Sequence, residues 1–534
     1  MTEDNTYYDL IVIGGGVNGA GIARDAAMRG LSVALFEKGD FCSGTSAWSS
    51  RLIHGGLRYL EYFEIPLVYE SLNERRALQR IAGHLVRPIR IAIPVYHGAR
   101  RGKALIRLGL LAYDLLSFRK SLPNHDMPGR AAALRAEPGL NPEGLKALAR
   151  YYDAQITYAE RLVLENVLDA ERHGARVFNY SPVLGLLTEN GSAAGVLYGQ
   201  PGSDARAEIR GRAVVNAGGP WVDAVLERAG PQSREFIGGT KGSHIIVSRF
   251  DGCPSDAIYV EARSDGRPFF IIPWNGLVLI GTTDIRYEGD LDAVRASTDE
   301  VDYLLEECNQ VFPRARLERS SVHFAYAGVR PLPKREEGPE SAITRKHVIV
   351  ENSATASGLY SIVGGKLTTY RNLAEQVVDR LKKDFDLHAG ACLTAVEPLP
   401  GAHDTKTVQA LVESARLLSA AGVERILKIY GSRARELLEG IEARELPAGS
   451  LDDEGRVLAA EVVFAFTVEH AKNLVDVVHR RLMLGFDADQ GRRYYASLIR
   501  VAAEHFSWDE TRQARERSEL ERYADSFLVS GLPG

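Results

Sequence analysis

Two histidines lie inside glycine-containing motifs and could exchange a proton with a bound substrate. His54 directly precedes Gly55-Gly56, and His244 ends the tetrapeptide Lys241-Gly-Ser-His244. A histidine with an unperturbed pKa near ~6.5 can take a proton from a substrate hydroxyl at neutral pH. We predict a catalytic role for both histidines, and the sequence does not decide which one is the base. A purely structural role is the alternative for each.

Four cationic side chains also stand beside glycine turns, apart from the charged helical stretches. They are Arg58, Arg330, Arg345 and Lys366. An arginine holds a phosphate dianion through a bidentate fork, and a lysine acts as a compact point charge. The four side chains predict a site for an anionic substrate, although a surface salt bridge is the alternative for any one of them. Arg330 could also polarise a substrate hydroxyl and hold the developing alkoxide.

The first strand-like run of the chain leads into a glycine-rich turn that predicts a dinucleotide site. The turn covers residues 14–21, and a second strand-like run ends at Glu37. In such a unit Gly14 makes the tight turn, Gly16 admits the pyrophosphate, and Gly19 lets the next helix approach the strand. The helix would direct its N-terminus at the pyrophosphate, and Glu37 would accept the ribose hydroxyls, which argues against NADP. An ordinary strand–turn–helix unit is the alternative.

Two further features favour FAD over NAD as the dinucleotide. The polar loop of residues 45–50 would supply hydroxyl partners for a pyrophosphate or ribityl chain beyond the glycine turn. The turn Gly364-Gly365 precedes a predicted helix over residues 368–383, with Thr368 as its N-cap. A helix N-terminus directed at the pyrimidine edge of a flavin would stabilise the negative charge of the reduced ring. A plain β-to-α turn is the alternative for Gly364-Gly365.

Composition places the chain among ordinary globular proteins with more than one domain. Its 534 residues exceed what one hydrophobic core organises, so we expect two or three domains. Apolar residues make up 45%, charged residues 25%, and the net charge is −5, so no nucleic acid partner is expected. The four cysteines are too widely spaced for a zinc site and fit a reducing, cytoplasmic compartment. Neither a signal peptide nor an uncharged apolar stretch of about 18 residues is visible.

The order of predicted elements indicates a discontinuous nucleotide domain. Strand-to-glycine-turn units occur near residues 10–16, 213–219 and 359–365. Between residues 238 and 328 alternating strands and turns predict a mostly antiparallel sheet, which one helix interrupts. After about residue 398 apolar residues recur at helical spacing, and this tail is predicted to be scaffold or subunit contact.

The predicted fold class is α/β and α+β, with three domains. A Rossmann-type FAD-binding domain is assembled from residues 1–86, 150–236 and 345–396. An antiparallel-sheet substrate or cap domain comprises residues 87–149 and 237–344, and a C-terminal helical domain comprises residues 397–534. Within that last domain the apolar spacing predicts helices over residues 457–466 and 468–484.

The segment from Arg87 to Lys120 combines positive charge with an apolar stretch. It holds eight lysines or arginines and one acid, Asp114, and residues 104–118 are apolar on nearly every face. A helix of this kind is either buried in a core or in contact with lipid. Its basic flanks suit the surface of an anionic bilayer, so residues 100–120 are a predicted membrane-contact segment. A core helix with solvated basic ends is the alternative.

Eight motifs occur in order along the chain. They are Gly14-Gly-Gly-Val-Asn-Gly-Ala-Gly21, Thr45-Ser46, His54-Gly-Gly-Leu-Arg-Tyr59, Lys241-Gly-Ser-His244, Gly281-Thr-Thr-Asp284, Gly328-Val-Arg-Pro-Leu332, Ala342-Ile-Thr-Arg345 and Gly364-Gly-Lys-Leu-Thr-Thr-Tyr370. Together they resemble the FAD-dependent, aerobic glycerol-3-phosphate dehydrogenase family, whose C-terminal domain the helical tail resembles in length and character. One departure is Asn216-Ala-Gly-Gly219, where the family commonly has Ala-Thr-Gly or Ala-Ala-Gly.

The resemblance implies oxidation of sn-glycerol 3-phosphate to dihydroxyacetone phosphate, with hydride transfer to FAD and electron delivery to a membrane quinone. It also implies peripheral attachment to the inner face of the cell membrane and is compatible with a homodimer. The implied catalytic residues are His54, His244 and Arg330, and the implied substrate-binding residues are Arg58, Tyr59, Arg345 and Lys366. The expected cofactor-binding residues are Gly14, Gly16, Asn18, Gly19, Glu37, Lys38, Thr45, Ser46, Ser49, His54, Gly55, Gly56, Val183, Gly218, Gly364, Gly365, Lys366, Leu367 and Thr368.

Three alternatives to that activity stay open. One is an oxidase that uses oxygen, and another is an FAD enzyme for a different 2-hydroxy or amino acid. The third is a non-catalytic, flavin-binding membrane scaffold. The histidines and cations favour catalysis over the scaffold, and the number of cations favours a phosphate over a monocarboxylate.

Overall fold

The computed structural model describes residues 7–99, 101–117, 122–230, 234–334 and 346–529. Its strands are β1 (Tyr7–Ile13), β2 (Val33–Phe36), β3 (Leu52–Ile53), β4 (Val86–Tyr96), β5 (Leu145–Ile156), β6 (Arg176–Phe178), β7 (Val183–Glu189), β8 (Ser192–Gly199), β9 (Arg206–Asn216), β10 (Thr240–Val247), β11 (Ala257–Glu261), β12 (Pro268–Trp274), β13 (Leu277–Gly281), β14 (Ile285–Arg286), β15 (Val322–Arg330), β16 (Val348–Glu351) and β17 (Leu359–Val363).

The helices of the described residues flank these strands and fill the C-terminal third. They are α1 (Val17–Met28), α2 (Ile65–Ile81), α3 (Lys103–Leu116), α4 (Arg130–Ala136), α5 (Ala159–Arg172), α6 (Val222–Ala229), α7 (Thr298–Val311), α8 (Tyr370–Asp384), α9 (Thr405–Ala415), α10 (Ala420–Tyr430), α11 (Ala434–Glu442), α12 (Ala459–Thr467), α13 (Leu474–Asp476), α14 (Tyr495–Phe506) and α15 (Glu510–Asp525). A π-helical turn, Val477–Arg481, follows α13 directly.

The first sheet has the strand order β16-β17-β9-β1-β2-β6, and β7 and β8 extend it beside β9. Strands β17, β9, β1, β2 and β6 run parallel. Strand β1 is buried from Leu10 to Ile13, and α1, α5 and α8 contribute to the core around it. The carboxyl ends of parallel strands meet at one edge, so the turns after β1, β9 and β17 lie together. The predicted discontinuous nucleotide domain is confirmed.

The second sheet has the strand order β14-β10-β13-β12-β11-β4-β5-β3, with β15 also paired to β10. All its pairs are antiparallel except β11 with β4, which confirms the predicted, mostly antiparallel sheet. Strand β5 pairs with β4 along nearly its whole length. The predicted domain boundary at residue 150 falls inside β5, so we propose to place that boundary after Ile156.

The C-terminal domain is helical, as the sequence predicts, but one of its predicted helices is wrong. The helix expected over residues 457–466 corresponds to α12, whereas no continuous helix covers residues 468–484. His470 adopts a φ of +59°, which a right-handed helix cannot continue through. The Asn473 side chain then accepts a hydrogen bond from the Asp476 N–H (2.9 Å) and begins the new helical segment.

Buried ion pairs attach the C-terminal domain to the domain that contains the first sheet. Asp40 accepts hydrogen bonds from Arg480 (2.7 Å) and Arg481 (2.8 Å), and all three side chains are buried. Burial alone would raise the pKa of Asp40, but the charges of Arg481 and Arg480 lower it to about 2. Removing one partner of such a pair would leave an uncompensated buried charge. The two domains are therefore expected to be stable only together.

Helix α3 packs through one face and exposes the other. Leu110 is 0% and Tyr113 1% exposed, whereas Leu108 is 64% and Leu115 75% exposed. The fully buried core helix, which was the alternative for residues 104–118, is therefore excluded for the described part of that segment. Among the residues that the structure describes, no helix is long and apolar enough to cross a membrane.

Candidate active site

Two adjoining cavities lie between the domains. The first, of about 720 Å³, follows the glycine turn after β1, and the second, of about 1130 Å³, contains both predicted catalytic histidines. Eight residues line both cavities: Thr45, Trp48, Ser49, Gly328, Pro331, Gly365, Lys366 and Leu367. A ligand in the first cavity can thus reach into the second.

The glycine turn of the first cavity has the geometry predicted for a dinucleotide. Gly14 has a φ of +106°, and a Cβ at Gly19 would lie 1.8 Å from the Gly14 carbonyl oxygen. A Cβ at Gly16 would meet only the Ser46 Oγ, at 3.2 Å, because this position faces the cavity. Helix α1 has no side-chain N-cap; the N–H of its first residue, Val17, donates to the Ser46 Oγ (3.0 Å), and an anion at this N-terminus would meet the helix dipole and the N–H groups that follow.

Two polar side chains beside the turn can accept hydrogen bonds from a ligand. The Glu37 carboxylate accepts the N–H of Gly15 (2.7 Å) and of Gly39 (2.8 Å), and it retains lone pairs for ribose hydroxyls. Burial raises the pKa of Glu37, and these two N–H groups oppose the rise. The Oδ1 of Asn18 is buried and has no hydrogen-bond partner among the described residues. Both side chains line the first cavity.

The structure places most predicted cofactor residues on these walls. Those that line the first cavity are Gly14, Gly16, Asn18, Glu37, Lys38, Thr45, Ser46, Ser49, Val183, Gly218, Gly364, Gly365, Lys366 and Leu367. Those that line only the second cavity are His54, Gly56 and Thr368. Gly19 and Gly55 line neither cavity, because Gly19 packs against the Gly14 carbonyl and Gly55 against the Tyr113 hydroxyl.

The predicted N-cap role of Thr368 is wrong. Helix α8 begins at Tyr370, its N-cap is Thr369, and no side chain caps it. The Thr368 hydroxyl instead accepts the N–H of His54 at 3.3 Å. The turn after Gly365 continues two residues further than the pattern indicates, which carries Thr368 to the wall of the second cavity.

The C-terminal domain, which the sequence predicts to be scaffold or subunit contact, also contributes to the wall of the first cavity. Its lining residues are Asn473, Val475, Arg480, Glu519, Arg522, Tyr523, Ser526 and Phe527. The Phe527 ring packs against Trp48, with 5.2 Å between their centroids. One local signal could have indicated that this domain packs against acidic residues. Arginines 480 and 481 interrupt a largely apolar run, and buried arginines need acidic partners.

His244 is buried on β10 at the wall of the second cavity. Its Nε2 lies 2.8 Å from the Ser50 Oγ, and its ring stacks on Tyr326 with 4.9 Å between centroids. Burial, and then the charges of Arg330 and Arg51, hold the pKa of His244 well below its usual 6.5. The imidazole is therefore neutral at neutral pH and poorly suited to accept a proton.

His54 lies at the end of β3, half-buried on the wall of the same cavity. Tyr59 and Lys366 line the cavity with it, and the Lys366 Nζ stands 4.0 Å from the centre of the Tyr59 ring. The Lys366 ammonium also donates to the Ser71 hydroxyl at 3.4 Å. A histidine, a lysine and an aromatic side chain from two distant motifs thus line the same cavity, and their predicted roles stay predictions.

Arg330 ends β15 and is held in a fixed orientation. Its Nη1 donates to the Asp284 carboxylate (2.9 Å), and its Nη2 donates to the Thr282 hydroxyl (3.0 Å). The side chain is 18% exposed and lines the second cavity. A second lining arginine that the sequence reasoning missed, Arg51, is buried and forms a bidentate pair with Glu160 (2.7 and 2.8 Å).

Two predicted substrate residues cannot be placed in this cavity. Arg345 lies outside the described residues. Arg58 belongs to the 3₁₀ turn Leu57–Tyr62, and its side chain lies outside the described part of the structure. Both remain predictions.

Comparison with known proteins decides the family. A family model for FAD dependent oxidoreductases matches residues 9–371, and one for the C-terminal domain of alpha-glycerophosphate oxidase matches residues 392–513. The glycerol-3-phosphate dehydrogenase of Synechocystis is 43% identical and covers 98% of each chain. The aerobic glycerol-3-phosphate dehydrogenase of Bacillus subtilis is 34% identical over 98% of this chain and 95% of its own. The chain belongs to the FAD-dependent glycerol-3-phosphate dehydrogenase family.

A solved structure extends this likeness to the whole fold. The glycerol-3-phosphate dehydrogenase of Bacillus halodurans, solved in complex with FAD, is 30% identical and matches with a TM-score of 0.80. The match covers 99% of this chain and 97% of the other. The predicted family, fold class and FAD cofactor are thereby confirmed. The first cavity of this family member fits FAD, because its glycine turn leaves room for a pyrophosphate and Asn18 and Glu37 offer polar atoms to it.

Proposed function

We propose that this enzyme oxidises sn-glycerol 3-phosphate to dihydroxyacetone phosphate and passes the electrons to a membrane quinone. The observation that carries the proposal is one cavity that holds His54, Arg330 and Lys366 and shares its wall with the FAD cavity. An acid–base group and two cations are what a hydroxyalkyl phosphate needs for binding and deprotonation.

The side chains of the second cavity have separate roles in the proposed reaction. FAD, when bound, supplies the acceptor for the hydride from the substrate C2. His54 takes the proton from the C2 hydroxyl, because it is half-buried and at the cavity wall, whereas His244 is fully buried and bonded to Ser50. Arg330 faces the developing alkoxide, and Lys366 pairs with the phosphate. His244 holds the loop of Ser50 in place.

The quinone is proposed to enter through the apolar mouth of the second cavity. Phe63, Ile65, Leu105 and Leu108 all line this cavity and are all exposed. The exposed face of α3 continues through Leu111, three residues after Leu108, and Leu115, four residues after Leu111. We call the surface formed by these six residues the apolar patch. A contiguous apolar surface at a cavity mouth is typical of a site for an apolar ligand or a membrane.

The apolar patch is also the proposed site of membrane attachment. Lys103 and Arg107 are exposed on α3, so positive charge lies beside the apolar side chains. This combination suits the anionic inner face of the cell membrane, in whose interface α3 would lie without crossing it. Attachment there would bring the cavity mouth to the lipid that carries the quinone. A homodimer stays a prediction.

Anaerobic mixing of the purified flavoprotein with glycerol 3-phosphate tests the reaction. We expect the visible flavin absorbance to bleach and to return on addition of a soluble quinone. An oxidase is the second candidate, because the C-terminal domain matches that of an oxidase. Fast recovery with oxygen and slow recovery with quinone would select the oxidase, and an unchanged spectrum would contradict both activities.

Paired substitutions on α3 test the attachment. Leu108→Glu with Leu111→Glu places charge in the exposed apolar face, so the enzyme should leave sedimented vesicles while keeping its FAD and its activity with a soluble dye. High salt should release the wild type only partly, because it screens Lys103 and Arg107 but leaves the apolar contact. The matched control, Leu110→Glu, buries a charge and should unfold the protein. Vesicle binding that survives the double substitution would contradict the proposed attachment.

A further inference from the structure

The segment that carries His54 has little intrinsic rigidity. It joins the two-residue strand β3 to the turn Leu57–Tyr62 through Gly55 and Gly56, and Gly56 has a φ of +74°. Glycine samples more backbone conformations than any other residue, so a Gly-Gly pair needs external contacts to hold one geometry. A proton acceptor must stay at a fixed distance from its substrate, so an acceptor on such a segment depends on those contacts.

Side chains from distant segments bind both peptide N–H groups that flank the His54 side chain. The His54 N–H donates to the Thr368 hydroxyl at 3.3 Å. The Gly55 N–H donates to the Tyr113 Oη at 3.0 Å and to the Asp153 Oδ1 at 3.3 Å. Because the peptide unit is planar, fixing the Gly55 N–H also fixes the direction of the His54 carbonyl.

The Tyr113 hydroxyl is itself held in one orientation. It lies 2.8 Å from each Asp153 oxygen, and Asp153 pairs with Arg75 of α2. Tyr113 is 1% and Asp153 0% exposed. Burial, and then the Asp153 charge, raise the pKa of Tyr113 far above its usual value, so the hydroxyl stays protonated. It can then donate to Asp153 and accept from Gly55 at the same time.

Close packing prevents the segment that carries His54 from moving toward α3. A Cβ at Gly55 would lie 2.4 Å from the Tyr113 Oη and 2.6 Å from the Leu72 Cδ2. The hydroxyl and the glycine backbone are therefore in close contact, and neither can shift without breaking the hydrogen bond.

We propose that Tyr113 is a positioning residue for His54: its hydroxyl, anchored by Asp153, fixes the His54–Gly55 peptide and through it the imidazole at the cavity wall. This assignment rests on the proposed role of His54 as proton acceptor. Tyr113 contacts neither substrate nor FAD, since it lines neither cavity. It lies on the buried face of α3, opposite the apolar patch.

The variant Tyr113→Phe removes the hydroxyl and keeps the ring. Its matched control is Tyr360→Phe, because Tyr360 is also buried and donates to an aspartate, Asp384 (2.8 Å), away from both cavities. Hydrogen exchange followed by mass spectrometry reports the Gly55 N–H directly. Anaerobic stopped-flow mixing with glycerol 3-phosphate gives the rate constant of flavin reduction per bound FAD, which does not depend on FAD occupancy.

We expect faster exchange in the peptide that contains Gly55, and a reduction rate constant at saturating substrate about 10- to 100-fold lower than in Tyr360→Phe. The dissociation constant for glycerol 3-phosphate should not change. Substitution of deuterium at the substrate C2 should slow Tyr113→Phe at least as much as the wild type, because hydride transfer then limits the rate.

Three outcomes would overturn the proposal. They are unchanged exchange at Gly55, a saturating reduction rate constant equal to that of the control, and a loss confined to substrate affinity. Loss of FAD does not obscure the result, because the rate constant refers to bound flavin only. If glycerol 3-phosphate fails to reduce the wild type, the proposed function fails, and the exchange at Gly55 alone then decides whether Tyr113 holds the segment.

Discussion

The two cavities are constructed from different parts of the polypeptide. In the first cavity, the atoms that would contact a pyrophosphate belong to the backbone. One turn of consecutive residues and the N-terminus of α1 contribute them. The reactive groups of the second are side chains, His54, Arg330 and Lys366, that three separate segments bring together. A backbone site fails when atoms are added to it, whereas a side-chain site fails when atoms are removed. Substitutions can test this difference.

The largest effect is expected at Gly16. Gly16→Val should give a folded protein without FAD, because the position lines the cavity and an added Cβ would meet only the Ser46 Oγ. The visible flavin spectrum and a thermal melt measure the two properties separately. Gly129→Val is a matched control, since Gly129 also precedes a helix in an extended conformation and has open space around it. Normal FAD content in Gly16→Val would refute the assignment of the turn.

Removing atoms from the second cavity should spare FAD and affect turnover. His54→Asn is expected to lower kcat about 10²- to 10⁴-fold, the range lost with a general base. His244→Asn should cost less, because the buried, neutral His244 supports Ser50 and exchanges no proton. Steady-state kinetics with a soluble dye, at equal FAD content, ranks the two. A larger loss in His244→Asn would reverse their roles.

Arg330→Ala is expected to have a smaller effect on the same cavity. Loss of a charge-assisted contact with a substrate costs about 1.5–3 kcal/mol, or about 10- to 150-fold in kcat/KM. The variant should retain FAD, because Arg330 lines only the second cavity. Arg319→Ala is the control, since Arg319 precedes the other end of β15 and pairs with Asp302 at the surface. Unchanged kcat/KM in Arg330→Ala would remove the residue from the site.

The smallest expected effect is on folding stability, and it concerns a histidine of the C-terminal domain instead of a residue of the cavities. Burial, and then the charge of Arg480, lower the pKa of His479 to about 3. The unfolded chain binds a proton at this histidine below pH ~6.5 and the folded chain does not, so stability is full above that pH and falls as the pH decreases toward 3.

The unfolding free energy of the wild type should fall between about pH 7 and pH 5. In His479→Asn this fall should be smaller by about 2 kcal/mol. Denaturant titrations at both pH values measure the difference. His97→Asn, at an exposed histidine, should behave as the wild type. Equal pH dependence in all three proteins would show that His479 is protonated in the folded chain.

The sequence predicted what local patterns encode. The turn at residues 14–21 depends on consecutive glycines, and β17 (Leu359–Val363) depends on a short apolar run, so both could be located from neighbouring residues alone. That His54 and Lys366 would line one cavity followed only from the family resemblance. Nothing in either motif by itself specifies the distance between them.

Two of the misses involve contacts between residues far apart in sequence. Thr368 accepts from His54 instead of capping α8, and Arg480 of the C-terminal domain pairs with Asp40 and lines the first cavity. Apolar spacing continued past His470 because periodicity does not register a single residue with positive φ. The cavity wall formed by Phe527 required knowledge of tertiary packing.

The first cavity has walls drawn from Ile13 at one end of the chain to Phe527 near the other. During synthesis the glycine turn leaves the ribosome hundreds of residues before the helix that completes the cavity. The nascent chain can form the βαβ unit early, but it cannot enclose FAD until the segment up to Phe527 has been made. Cofactor loading in this protein is thus expected to be a late event, and bound flavin marks a polypeptide that has been made at least as far as α15.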